Sequence, residues 1–132
     1  MERFMRKLLF TLVLALLLVP SVALPASDTI TFGWEQDMVV PVVGWRIYQS
    51  ETAGAYSTTP FQTLVYDGTV KPEYTATTVV TVPAGTMKTF YWVVTAYNGV
   101  MESAWSNEVS TSHDFRAPTV PVTFRATVTH TP

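Results

Sequence analysis

From Thr29 onward, apolar and polar residues alternate in short runs, each closed by Pro, Gly, Asn or Asp, with no long segment of helical period. Period-two alternation places every second side chain on one face of a pleated strand, so several ribbons must bury one face together. Ile30, Phe32 and Trp34 alternate with Thr31, Gly33 and Glu35 in the first run. In GWRIYQS, Trp45 and Ile47 share one face, and Arg46 and Tyr48 the other. FQTLVYDG predicts a third strand ending at Asp67-Gly68, a dipeptide suited to positive φ. TATTVVTVPAG predicts a fourth strand closed by Pro83-Ala84-Gly85. A fifth runs from Thr89 to Tyr97 and turns at Asn98-Gly99, and a sixth spans about Ser106 to Ser112. Short strands at this spacing predict an all-β, antiparallel sandwich.

The fifth strand carries aromatics on both faces. Phe90, Trp92, Val94 and Ala96 form its expected core side, with Tyr91, Val93, Thr95 and Tyr97 opposite. Trp34, Trp45 and Trp92 are expected in the core, whereas Trp105 falls in the connection after the fifth strand.

At 132 residues, 48% hydrophobic and 14% charged, the chain has the composition of one packed domain and not of a disordered polymer. Its start has the three parts of a secretory signal: Arg3, Arg6 and Lys7, an apolar run from Leu8 to Val19, and the small-residue site Ser21-Val22-Ala23. The run is short for a membrane span, so cleavage after Ala23 and a secreted, periplasmic or cell-surface destination are expected, with no membrane partner afterwards. Cleavage removes three of eight basic and one of ten acidic residues, leaving five against nine and a net charge near −4. An acidic chain with no basic cluster has no electrostatic basis for binding nucleic acid. Without cysteine there is no disulfide, thiolate nucleophile or lipidation thiol.

ITFGWEQ, GWRIYQSETAGAYS and AGTMKTFYWVVTAYNGVMESAWSNEVS together resemble a fibronectin type III domain, an immunoglobulin-like β-sandwich, of the kind found in exported bacterial proteins. The similarity covers residues 30–111 and implies that the first strand read above is the family's B strand, with Trp34 as its core tryptophan. It also implies that GWRIY is the C strand and Phe90 to Ala96 the F strand. Two departures stand out. Phe90 occupies the place of a tyrosine whose hydroxyl ties the corner before the F strand, leaving the corner either looser or held by Tyr91. The A strand is absent from its usual place, because LPASD is too short to hold a strand and a turn.

The domain organisation expected is a signal peptide at 1–23, the sandwich at 24–112, and a linker with an A-strand-like segment at 113–132. In that last segment Val120, Val122, Phe124, Ala126 and Val128 alternate with polar residues and proline, and Pro118-x-x-Pro121-x-x-Phe124 is similar to the family's A-strand opening. Three alternatives follow: a disordered tail, a strand returning to its own domain, and a strand donated to a neighbouring copy. Return is strained, since His113 to Ala117 reach at most about 18 Å against a strand length of roughly 17–20 Å.

No catalytic constellation emerges. His113 falls in the expected linker and His130 at the end of the last expected strand, both are read as solvated, and neither a nucleophile elbow nor a phosphate or calcium loop occurs. The carboxylate pairs Glu35 with Asp37 and Glu102 with Glu108 have no cleft-forming insertion beside them. A non-enzymatic module without cofactor or metal is expected. Arg46, Tyr48, Tyr91, Val93 and Tyr97 would share the outer face of one sheet, a composition that suits capture of a protein or extracellular polysaccharide surface but also stabilises a sheet alone. The assembly alternative assigns self-association to Val120, Val122, Phe124, Ala126 and Val128.

Overall fold

The computed structural model describes residues 24–129. The expected signal peptide and His130 lie outside them. The described chain is all-β, with β1 (Ala26–Trp34), β2 (Gly44–Ser50), β3 (Gln62–Val65), β4 (Tyr74–Val82), β5 (Met87–Tyr97) and β6 (Val109–Asp114). β1 and β4 pair as one antiparallel sheet, and the other runs β3-β2-β5-β6, also antiparallel throughout. Ile30, Ala76, Val80 and Val82 of the small sheet meet Ile47, Phe90 and Trp92 of the large one in a common core. The architecture is sandwich-like.

The expected inward set of β1 is observed: Ile30 is buried, Phe32 and Trp34 are half-buried, and Thr29, Thr31 and Gly33 face solvent. β1 starts earlier than the alternation suggests, because Ala26, Ser27 and Asp28 pair with Val82, Thr81 and Val80 and thereby complete the ladder of β4. The indoles divide between two groups. Trp92 packs against Phe32, Phe61 and Phe90, whereas Trp45 packs against Trp34, Tyr66 and Tyr74 at the other end of the sandwich. Most pairs in both groups are tilted or edge-on, with Trp34 and Tyr74 stacked at 6.4 Å, arrangements favoured by the aromatic quadrupole.

Two glycines are required by geometry. A Cβ on Gly44 would lie 2.0 Å from the Leu64 carbonyl oxygen, so only glycine lets β2 pass between β3 and Tyr97. Gly99 takes φ 90° in the turn after β5, where the Asn98 side chain accepts from the Val100 and Met101 amides. The corner before β5 needs neither a tyrosine hydroxyl nor Tyr91. Thr86 donates its hydroxyl to the Pro83 carbonyl at 2.6 Å, and Phe115 exchanges backbone hydrogen bonds with Gly85 and Thr86.

β6 begins at Val109, three residues later than expected, because the stretch before it pairs by a different device. Ser103 and Ser106 donate their amides to the Ala96 and Val94 carbonyls, and their hydroxyls accept from the Ala96 and Val94 amides. Two side-chain oxygens thus replace ladder carbonyls, and the chain between them bulges to carry Trp105 outward. The strand also ends later: His113, expected in a solvated linker, lies within β6 and is buried.

Candidate functional site

The five residues expected to form a binding face do lie together on the outer side of β2 and β5, but that side is not free. Tyr48 is 6% and Val93 4% exposed, and Thr95 beside them is buried as well. Glu102 accepts from the Arg46 guanidinium at 2.6 Å, the Tyr48 hydroxyl at 2.5 Å and the Thr95 hydroxyl at 2.5 Å. Arg46 also lies 4.5 Å over the Tyr97 ring. The Thr95 and Tyr48 hydrogen bonds, with the Arg46 pair after them, hold the Glu102 carboxyl below its ordinary range against the opposing effect of burial. Burial and the same Glu102 contact push the Tyr48 phenol up.

Glu108 performs the matching task at the other end of the 102–108 stretch. It accepts from the Gly54 amide at 2.8 Å and the Tyr56 hydroxyl at 2.6 Å, drawing the loop between β2 and β3 toward this face. Burial, then the Glu108 bond, raises the Tyr56 phenol. Tyr56 in turn sits edge-on to Trp105, ring centroids 4.9 Å apart, and leaves that indole 52% exposed. The carboxylate pair weighed from the sequence therefore anchors two different elements. Tyr48 and Val93 belong to the packed interior of this face, while Tyr91 and Tyr97 stay half-exposed.

A second site, which the sequence signalled only as a missing strand, lies along β1. β1 pairs with β4 on one edge, and its other edge has no strand partner among the described residues. There the two sheets are joined at one end by His113 of β6, which contacts the Asp28 carboxylate at 2.7 Å and Thr111 at 2.9 Å, and further along by Phe32, whose ring centroid lies 4.9 Å from that of Trp92. Toward the other end they part into a groove of about 490 Å³ that reaches the core. Phe32 and Trp34 of β1, Trp92 and Val94 of β5, and Trp105 of the bulge line it. Trp34 carries a buried indole N–H with no acceptor among the described residues. At the mouth of this end stands an apolar surface from two loops, with Val39, Val40, Val100 and Met101 all strongly exposed.

The segment expected to supply the missing strand is described through Thr129. It pairs with no strand, so the return to its own domain is not formed. The reason is reach as much as register, since β6 ends beside the start of β1. Val120, Val122, Phe124 and Val128 are exposed, Phe124 at 95%, and Ala126 is exposed with them. Within the segment Thr123 takes φ 62°, a left-handed conformation disfavoured for a β-branched side chain.

Among the described residues no group of three or more His, Cys, Asp or Glu side chains is placed to hold a metal ion, and no helix is long and apolar enough to cross a membrane. No family model matches the chain, and comparisons with curated proteins and with solved structures find no match either.

Proposed function

We propose that this chain is an exported, non-catalytic module of the fibronectin type III kind that works by protein contact, as an adhesion or spacer unit, and that the open edge of β1 is its docking edge. The strand order supports the fold assignment: β1-β4 facing β3-β2-β5-β6 is the arrangement the resemblance implies once its first strand is missing. The observation that carries the functional reading is the nine-residue β1 with one edge unpaired among the described residues, set over a groove that opens into the core. Such an edge presents a row of unused N–H and C=O groups, and an extended polypeptide satisfies them while its alternate side chains enter the groove. The outer face of β2 and β5 is the weaker docking surface, since Glu102 and Glu108 already engage its polar groups within the chain.

Hydrogen exchange tests this. Peptides of about ten residues with alternating apolar and polar side chains should slow exchange at β1 amides and alter Trp34 fluorescence. Protection confined to the β2 and β5 face, with β1 unchanged, would place docking elsewhere and defeat the proposal.

A further inference from the structure

We infer that the strand docking on β1 is residues 119–129 of a second copy of the same chain, added antiparallel to β1 as the third strand of its sheet. This rests on the edge-docking reading above and names its occupant.

The faces match. On the small sheet, β1 and β4 point Ile30, Phe32, Ala76 and Val80 inward and line the outer side with Thr29, Thr31, Thr75, Thr77 and Thr81. Thr31 and Thr77 already meet across the two strands at 3.3 Å. Residues 119–129 repeat that alternation, with Val120, Val122, Phe124, Ala126 and Val128 on one side and mostly threonine on the other. Added to β1, they would extend the apolar face over the groove and the threonine face over the outside, where cross-strand threonine pairs stabilise a sheet. Strand pairing would also bring Thr123 out of its left-handed conformation.

Proline and alanine set the register. If the backbone groups of the even-numbered residues bond to β1, the nitrogen of Pro121 faces solvent, the position an edge strand tolerates and one that stops a further strand from joining there. The inner space beside Asp28 is already filled by His113. Ala126 is the smallest of the five inward residues, and setting it opposite Asp28 brings Phe124 opposite Ile30, Val122 opposite Phe32 and Val120 opposite Trp34. The larger side chains then fall toward the groove.

Reach makes the donor another molecule. β6 ends at Asp114, which pairs with Met87 just past the turn that follows Val82, and Val82 pairs with Ala26 at the start of β1. An antiparallel strand must begin at the far end of β1, about 30 Å away for nine residues. Residues 115–119 span at most about 18 Å. A neighbouring copy stacked end to end supplies its segment at the correct end, where Val39, Val40, Val100 and Met101 form an apolar landing surface. The contact is heterologous, with edge and strand on different copies, so it propagates into open chains.

The chain has no cysteine, so single thiols report contacts cleanly. Thr31 faces Thr123 in this register. A chain carrying Thr31→Cys mixed with one carrying Thr123→Cys should yield a disulfide-linked pair on oxidation, and Thr127→Cys in place of Thr123→Cys should yield little. Light scattering should show oligomers growing with concentration. Phe124→Asp should abolish them without changing the circular dichroism, and a free peptide of residues 117–129 should dissolve them while protecting β1 amides from exchange. A monomer at the highest soluble concentration would overturn the inference. So would a linked Thr31→Cys/Thr123→Cys double variant that stays monomeric, which would mean a strand returning parallel to β1 within one chain. If an unrelated alternating peptide protects β1 but the 117–129 peptide does not, edge docking stands and self-donation falls; if neither protects it, both fall.

Discussion

β5 and the segment 119–129 are each eleven residues of strand-forming sequence, yet one is the most enclosed strand of the molecule and the other is unpaired and exposed. β5 lies between β2 and β6, with the small sheet against one face and the Glu102 and Glu108 contacts across the other. Residues 119–129 pair with no strand, so their backbone groups remain with water and their apolar side chains gain nothing from alternating. Period two states which faces a strand would have; it does not state whether a ladder exists to make it a strand.

Matched substitutions in the two segments should separate them most widely. Trp92→Ala, at a side chain 1% exposed and packed against three phenylalanines, should cost about 3–5 kcal/mol and leave the domain at the edge of unfolding by denaturant titration. Phe124→Ala, a truncation of similar kind, should leave the unfolding midpoint of dilute protein where it was and act only on association. An equal loss at both positions would mean that the segment already packs on its own domain.

A smaller effect is expected on the outer face of β5. Glu102→Ala leaves the Tyr48 and Thr95 hydroxyls without their acceptor in a half-buried setting and should cost roughly 1–3 kcal/mol. The pH dependence has a definite sign. The Glu102 carboxyl titrates lower in the folded chain than in the unfolded one, so its contribution is full above the ordinary carboxylate range and disappears as pH falls through its lowered folded value. The stability gap between the parent and Glu102→Gln should therefore narrow on acidification, and a gap that widens would contradict the hydrogen-bond assignment.

The smallest effect belongs to the exit of β6. Arg116 holds the exposed Asp114 carboxyl down to about 2 through two side-chain hydrogen bonds and a backbone one. A side-chain NMR titration should find that midpoint, and Asp114→Asn should leave stability within experimental error, as expected of a solvent-screened pair.

Much of the sandwich was legible from residue type alone. The inward set Ile30, Phe32, Trp34, the burial of Phe90 and Trp92, and the Asn98-Gly99 turn all follow from alternation and turn chemistry, which act within a few residues. Burial of Tyr48, Val93 and Thr95 was not legible, because Glu102, which accepts from Tyr48 and Thr95, is brought over them by a bulged stretch that pairs through side chains and not as a regular strand. A signal was present in hindsight, since two glutamates six residues apart flank the serine-rich bulge; only the ladder positions of Ser103 and Ser106 show why both turn toward the same face. His113 was misplaced for a related reason. A polar residue near an expected strand end is normally solvated, but here Asp28 and Thr111 satisfy both ring nitrogens and allow burial.

Residue order by itself determined the strand periodicity and the turns, since both depend on neighbours along the backbone. Which edges stay open, which carboxylates clasp which loops, and how far the last segment stands from the edge it resembles were decided only in three dimensions. Those properties depend on distances between elements remote in sequence, and a tail of about five linking residues cannot cross the roughly 30 Å that separates the two ends of β1.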